Sequence, residues 1–322
     1  MAELYTYAVA RIRALEVALF TSSTIEQLMG CKTEEQALQF LTEKGWGDAD
    51  TPLNADAILT REREKIWETM NELGVDMSIF DVLSYPNLFH NLKAAVKEVC
   101  IKGEHQAAFY TDCAIKREEM LRIVREKDFS KLPEHMQLAA KDAYETLLHT
   151  KDGQRCDIII DRATLDAIYE AGQASKEEII RDYAEETVAV TDIKIAVRSQ
   201  KTGKPLEFMK MALAECKSMD VNHLAHAALS GMDAICEYLT SIGYGGAAEA
   251  LQESASAFER WCDNRMIETI RPQKYNAFTV GPLVAYVIAR ENEIKTVRIV
   301  LTGIQNDMPE EVIRERVREM YV

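Results

Sequence analysis

The sequence predicts an all-α protein built from three similar helical units closed in a pseudo-threefold arrangement. Three observations carry this expectation. The chain holds only 14 Gly and 7 Pro among 322 residues, about half the ordinary share, so it is short of the residues that punctuate tight turns and strand-rich folds. Apolar residues recur at helical rather than alternating spacing. A lysine and a glycine each return at intervals of about a hundred residues, the mark of an internal repeat. With 47% hydrophobic and 28% charged residues, the chain can bury a substantial core and is not a disordered segment.

The helices follow in chain order. Residues 7–20 place Val9, Ile12, Leu15 and Leu19 on one face. Thr33-Glu34-Glu35-Gln36 has the form of a capping box and opens a helix through Ala37, Phe40 and Leu41. Thr51-Pro52 reads as a cap followed by a proline at the first helical position; the helix runs through Ile58, Ile66 and Met70 and stops at Gly74. Ile158-Ile159-Ile160 is the one strand-like run, but it continues into Leu165 and Ile168 at helical spacing and is assigned to a helix. Ser175-Lys176-Glu177-Glu178 is a second capping box, opening residues 179–190. Asp307-Met308-Pro309-Glu310-Glu311 is an acidic, proline-bearing start for a last helix ending at Tyr321.

The repeat is carried by short segments. Asn91-Leu92-Lys93-Ala94-Ala95-Val96-Lys97 resembles Asp192-Ile193-Lys194-Ile195-Ala196-Val197-Arg198, and Glu293-Ile294-Lys295-Thr296-Val297-Arg298 begins the same way. Lys93, Lys194 and Lys295 are evenly spaced, and each segment then reaches a glycine, Gly103, Gly203 or Gly303. Each glycine is expected to close its helix in the left-handed conformation. Asp157 to Arg162 finds an echo at Glu259 to Asp263, and Leu41-Thr42-Glu43-Lys44-Gly45-Trp46-Gly47 an echo at Leu239-Thr240-Ser241-Ile242-Gly243-Tyr244-Gly245. The expected units are residues 92–192, residues 193–292, and residues 1–91 joined by 293–322, with the two chain ends packed together in the third. The repeated lysines should occupy equivalent places, where they either line a central opening and meet a partner or simply pair with an acid.

The chemistry-bearing motifs are sparse. A net charge of −15 argues against nucleic acid as a partner, which needs a basic stripe, and against adhesion to an anionic membrane. The longest uncharged run, residues 275–289, is interrupted by Gly281-Pro282 and falls short of the ~20 apolar residues of a membrane span. The first residues show neither the basic nor the apolar region of a signal peptide. Seven cysteines, none in Cys-x-x-Cys, read as core residues of a reducing cytoplasm. Gly203-Lys204-Pro205 lacks both the Ser/Thr and the earlier glycine of a phosphate loop, so no cofactor is expected. Asp220, His223 and His226 are the best metal candidates, but this spacing spreads them around a helix and nothing completes a shell; a helical metal-dependent hydrolase is the alternative they would support. Asp157 and Asp161 lie one turn apart, either as paired carboxylates for acid–base work or as a ladder pairing with Arg162 or a neighbouring helix.

The C-terminal third carries a specific resemblance. Phe278-Thr279-Val280-Gly281-Pro282-Leu283-Val284-Ala285-Tyr286, then Ala289-Arg290-Glu291-Asn292-Glu293-Ile294-Lys295-Thr296-Val297-Arg298-Ile299-Val300-Leu301-Thr302-Gly303, and the ending from Met308 to Val322 resemble the C subunit of bacterial and archaeal V/A-type rotary ATPases, a family whose eukaryotic counterpart is the d subunit. Asn91-Leu92-Lys93, Asp157 with Asp161-Arg162, and Tyr7-Ala8-Val9-Ala10-Arg11-Ile12-Arg13 extend it across the chain. The resemblance implies a funnel of three helical domains, without a nucleotide site of its own, that joins the central shaft to the cytoplasmic face of the membrane rotor ring. It implies a cytoplasmic protein, peripheral to the membrane through its complex. Candidate partner contacts are Lys93, Lys194, Lys295, Arg298, Asp161 and Arg162. A generic helical adaptor outside any ATPase is the other reading.

Overall fold

A computed structural model describes residues 2–101, 109–111 and 113–322. The described residues form α-helices and short 3-10 turns, with no strand. In order the helices are α1 (Ala2–Glu16), α2 (Ser22–Met29), α3 (Glu34–Glu43), α4 (Ala55–Glu72), α5 (Asp81–Cys100), α6 (Arg117–Glu126), α7 (Glu134–Thr150), α8 (Gly153–Ala174), α9 (Glu178–Lys201), α10 (Leu206–Ala212), α11 (Val221–Ser230), α12 (Met232–Ser241), α13 (Gly245–Glu253), α14 (Ala255–Ile270), α15 (Gly281–Gln305) and α16 (Glu310–Arg314). Ile158 to Ile160 lie inside α8, as their continuation predicts. No described helix is long and apolar enough to cross a membrane.

The helices gather into two compact units. The first holds the described residues of Met1–Met77, Glu177–Ile179 and Tyr244–Val322; the second holds those of Ser78–Lys176 and Ile180–Gly243. In the first, α15 is the centre. Its first ten residues, Gly281 to Arg290, are all buried, as befits a helix covered on every side, and α1, α2, α3, α4, α14 and α16 pack on it. One ion-paired group is buried with it: Arg290 binds Glu62 of α4 and its own neighbour Glu293, lies over the Trp46 ring, and Glu293 accepts the Phe20 N–H. Buried charges persist when paired and hydrogen-bonded in this way. Both chain ends belong to this unit, with α16 on α2. In the second unit α8 is the hub, packed by α5, α7 and α10, and α5, α6, α7 and α8 share a core that holds Phe89, Leu92, Met120, Met136, Leu147 and Ile160.

Several helix ends depart from expectation for identifiable reasons. Thr33 caps α3 through the Gln36 N–H, but Gln36 turns its amide oxygen to the Lys32 N–H rather than completing the box at Thr33. The α4 cap is Asn54, which accepts from the Ala57 N–H at 2.8 Å; Thr51 instead accepts from the Asp48 N–H in the preceding turn. Helix α9 runs on to Lys201 and so includes the repeat segment, well beyond residue 190. Gly203 closes it at φ 62°, with the Lys204 N–H reaching the Ser199 carbonyl. Gly303 does not close a helix. It lies inside α15, where an added Cβ would stand 2.5 Å from Ile313, so the glycine is required for α16 to seat. The helix runs on to Gln305, and Asp307, at φ 52°, takes the closing role with the Met308 N–H bonded to the Gly303 carbonyl. Gly103 lies outside the described residues. The last helix ends at Arg314, not Tyr321, because the tail finds its partners elsewhere. Glu319 gives its N–H to Asn264 and accepts at its carbonyl from Asn292, and Tyr321 is buried.

Candidate interaction site

The three repeated lysines stand on three long helices: Lys93 on α5, Lys194 on α9 and Lys295 on α15. Lys93 Nζ lies 2.6 Å from Asp161 on α8, and one turn along Lys97 meets Asp157 at 2.7 Å. The acids therefore form a ladder across the α5–α8 packing rather than a carboxylate pair for acid–base chemistry. Lys295 Nζ lies 2.7 Å from Asp263 on α14, which also receives the buried Arg318 at 2.6 Å. Arg298, one turn past Lys295, reaches Asp56 on α4 at 3.0 Å. Lys194 is half-buried on α9. Arg162 pairs with Asp166 at 2.9 Å and donates to the Leu213 carbonyl.

Two grooves contain several of these residues, and their linings stand about a hundred positions apart in the sequence. One of about 330 Å³ runs between α8, α9 and α10, with Asp157, Asp161, Arg198, Thr202 and Phe208 among its walls. The other, about 530 Å³, runs between α14, α15 and α16, with Glu259, Lys295, Arg298, Thr302 and Met308. In both, a long helix ends at a left-handed residue and is followed by a proline-led short helix: Gly203 and Pro205 in one, Asp307 and Pro309 in the other. Both grooves combine apolar walls with charged side chains, suited to a partly polar contact.

A second repeated feature lies at the first residue of each repeated segment. Asn91, fully buried, accepts from the Tyr110 N–H at 2.8 Å and donates to the Tyr110 carbonyl at 2.9 Å. Asp192, fully buried, accepts from the Ala214 N–H at 3.0 Å. Glu293, also buried, accepts from the Phe20 N–H. Each side chain thus takes a backbone N–H from a segment outside its own helix and ties that segment down. The sequence places an Asn, an Asp and a Glu at one repeat position but gives them no visible task. Their partners lie 19, 22 and 273 positions away and have no motif of their own. Burial pushes the Asp192 carboxyl up to about 8, against the Ala214 N–H and Arg162, which pull it down. Burial likewise pushes the nearby Cys216 thiol up to about 12.

Two of the three metal candidates, Asp220 and His223, have other tasks, and His226 is exposed on α11. Asp220 caps α11, accepting from the N–H groups of Asn222 and His223, and the His223 ring stacks on Tyr238 at 4.3 Å. Among the described residues no three His, Cys, Asp or Glu side chains gather as a metal site. The seven cysteines are free thiols, four of them buried.

Comparison with known proteins gives one family. The sequence profile of the ATP synthase (C/AC39) subunit family matches residues 8–316. The chain is 23% identical to the C subunit of the V-type sodium ATPase of Enterococcus hirae, over 96% of this chain and 97% of that protein. It is 21% identical to the C subunit of the A-type ATP synthase of Methanocaldococcus jannaschii, over 96% and 85%, and 22% identical to that of Desulfurococcus sp., over 98% and 91%.

Proposed function

From the premise that the chain belongs to the ATP synthase (C/AC39) subunit family, we propose that it is the non-catalytic rotor subunit of a V/A-type ATPase, a socket that joins the central shaft to the cytoplasmic face of the membrane rotor ring. Nucleotide chemistry then belongs to other subunits, and this protein works at the membrane surface through its complex. The observation that carries the reading is the set of cross-helix ion pairs made by Lys93, Lys97, Lys295 and Arg298, together with two charged grooves beside proline-led short helices. A torque-bearing part needs stiffness, and close-packed helices have low compressibility. It also needs polar, distributed contacts, so that the free subunit does not expose a large apolar face.

On this reading the molecule is three copies of one helical module. Residues 92–192 and 193–292 form two, and residues 1–91 with 293–322 form the third. The shared task of Asn91, Asp192 and Glu293 supports the scheme. Each binds a backbone N–H brought from outside its helix, and for Glu293 that N–H belongs to Phe20, near the other end of the chain. Lys93, Lys194, Lys295, Arg298, Asp161 and Arg162 are the proposed partner-facing residues.

The test is reconstitution of the complex without this subunit. ATP hydrolysis by the soluble sector should continue while ion transport across the membrane is lost. Undiminished ATP-driven transport in its absence overturns the proposal.

A further inference from the structure

Asp192 differs from its two repeat counterparts in how its second polar atom is satisfied. Asn91 binds both ends of one residue, taking the Tyr110 N–H and giving its own N–H to the Tyr110 carbonyl. Glu293 takes the Phe20 N–H on one oxygen and Arg290 on the other. At the same place Asp192 has one hydrogen bond, from the Ala214 N–H, and its second oxygen meets no donor. A carboxylate without exposure and with one hydrogen bond is costly, since burial without partners penalises charge far more than it penalises a neutral acid.

The charged surroundings do not repair the deficit. From α8, Arg162 attracts the carboxylate but spends its own hydrogen bonds on Asp166 and the Leu213 carbonyl, and Asp166 repels it. On α9 itself, Glu185 points to the same returning segment, accepting the Ser218 N–H at 2.7 Å. From that segment comes Cys216, a half-buried thiol that stays protonated. Residues 213–219 thus hang on side-chain ties to their backbone that include Arg162 at Leu213, Asp192 at Ala214, Tyr169 at Lys217 and Glu185 at Ser218.

We propose that Asp192 is a proton-dependent clip: as the neutral acid it holds residues 213–219 against α9, and its ionisation favours release of that segment. The sign follows from linkage. An acid whose folded-state pKa is raised stabilises the closed form below its ordinary pKa, and that stability is lost as pH rises towards the raised value. The window runs from the ordinary aspartate value near 4 to about 8. Within it the opening constant of the segment rises about tenfold per pH unit, and it levels off above.

Two measurements on the full chain decide the matter. The first is the side-chain carboxyl ¹³C shift of Asp192 in the unaltered protein between pH 3 and 10. A midpoint near 8 is expected, and a midpoint near 4 overturns the proposal. The second is amide exchange of residues 213–219, compared at each pH with Asp192→Asn, in which the ordinary base catalysis of exchange cancels. The ratio of wild-type to variant exchange should climb about tenfold per unit between pH 5 and 8. A ratio independent of pH overturns the clip. If the variant does not fold, the carboxyl titration, which needs no variant, decides alone.

Discussion

At the scale of single residues, the structure gives the repeated glycines two different tasks. Gly203 is needed for its backbone, at φ 62° with open space where a Cβ would go. Gly303 is needed for its missing side chain, because Ile313 occupies that space. Their even spacing was legible in the sequence, but the difference was not: it depends on whether α15 stops or continues, and that is decided by contacts with a residue further along the chain. The distinction is measurable. Gly303→Ala should lower stability by about 1–3 kcal/mol through overpacking, and adding Ile313→Val should recover part of the loss, since the two changes share a contact. Gly203→Ala should cost about 1 kcal/mol through backbone strain with no rescue from any packing change. Denaturant unfolding of these variants checks this, and equal behaviour of the two glycines would refute the division.

At the scale of elements, periodicity located the helices and missed their ends. The apolar faces through Ile58, Ile66 and Met70 and through Leu165 and Ile168 became α4 and α8, because burial of a helical stripe is a property of the stripe itself. Ends depend on which polar group reaches an unpaired N–H or carbonyl, and several candidates stood close together. Thr51-Pro52 resembled a start, yet Asn54 supplies the cap and Thr51 closes the turn before it. Asn54→Ala should therefore cost about 1 kcal/mol, read as a lowered unfolding midpoint, with Asn54→Asp retaining most of the stability. If Thr51→Ala proved the more damaging change, the assignment of the α4 cap would be wrong. The tail after Arg314 shows the same limit from the other side. Its helical pattern is real, but Asn264 and Asn292 bind its backbone and Asp263 binds Arg318, contacts that another turn of helix would forgo.

At the scale of the whole molecule, the even spacing of Lys93, Lys194 and Lys295 was legible because spacing is a property of the sequence alone, while Asp263 and Asp56 as partners of Lys295 and Arg298 were not, the second pair lying 242 residues apart in sequence. The pairs now present two explanations for the same lysines: intramolecular locks, or charges held ready for a partner. Energetics separates them. The Lys93 and Lys295 side chains are 23% and 51% exposed in their pairs, and ion pairs of this kind contribute roughly 0–1 kcal/mol each. As locks alone they are weak, so replacing all three lysines by Gln should leave the isolated protein folded with a modest drop in unfolding midpoint. If they face the shaft or the ring, the same triple variant should rejoin the remainder of the complex more slowly and less tightly at low ionic strength. The deficit should narrow as salt is raised towards about 0.5 M, because screening removes the advantage of the native charges. Binding measured across a salt series, with the folded state of the variant checked separately, gives the answer. Unchanged binding at low salt by a folded variant would return these lysines to a purely internal role and move the contact surface elsewhere on the molecule.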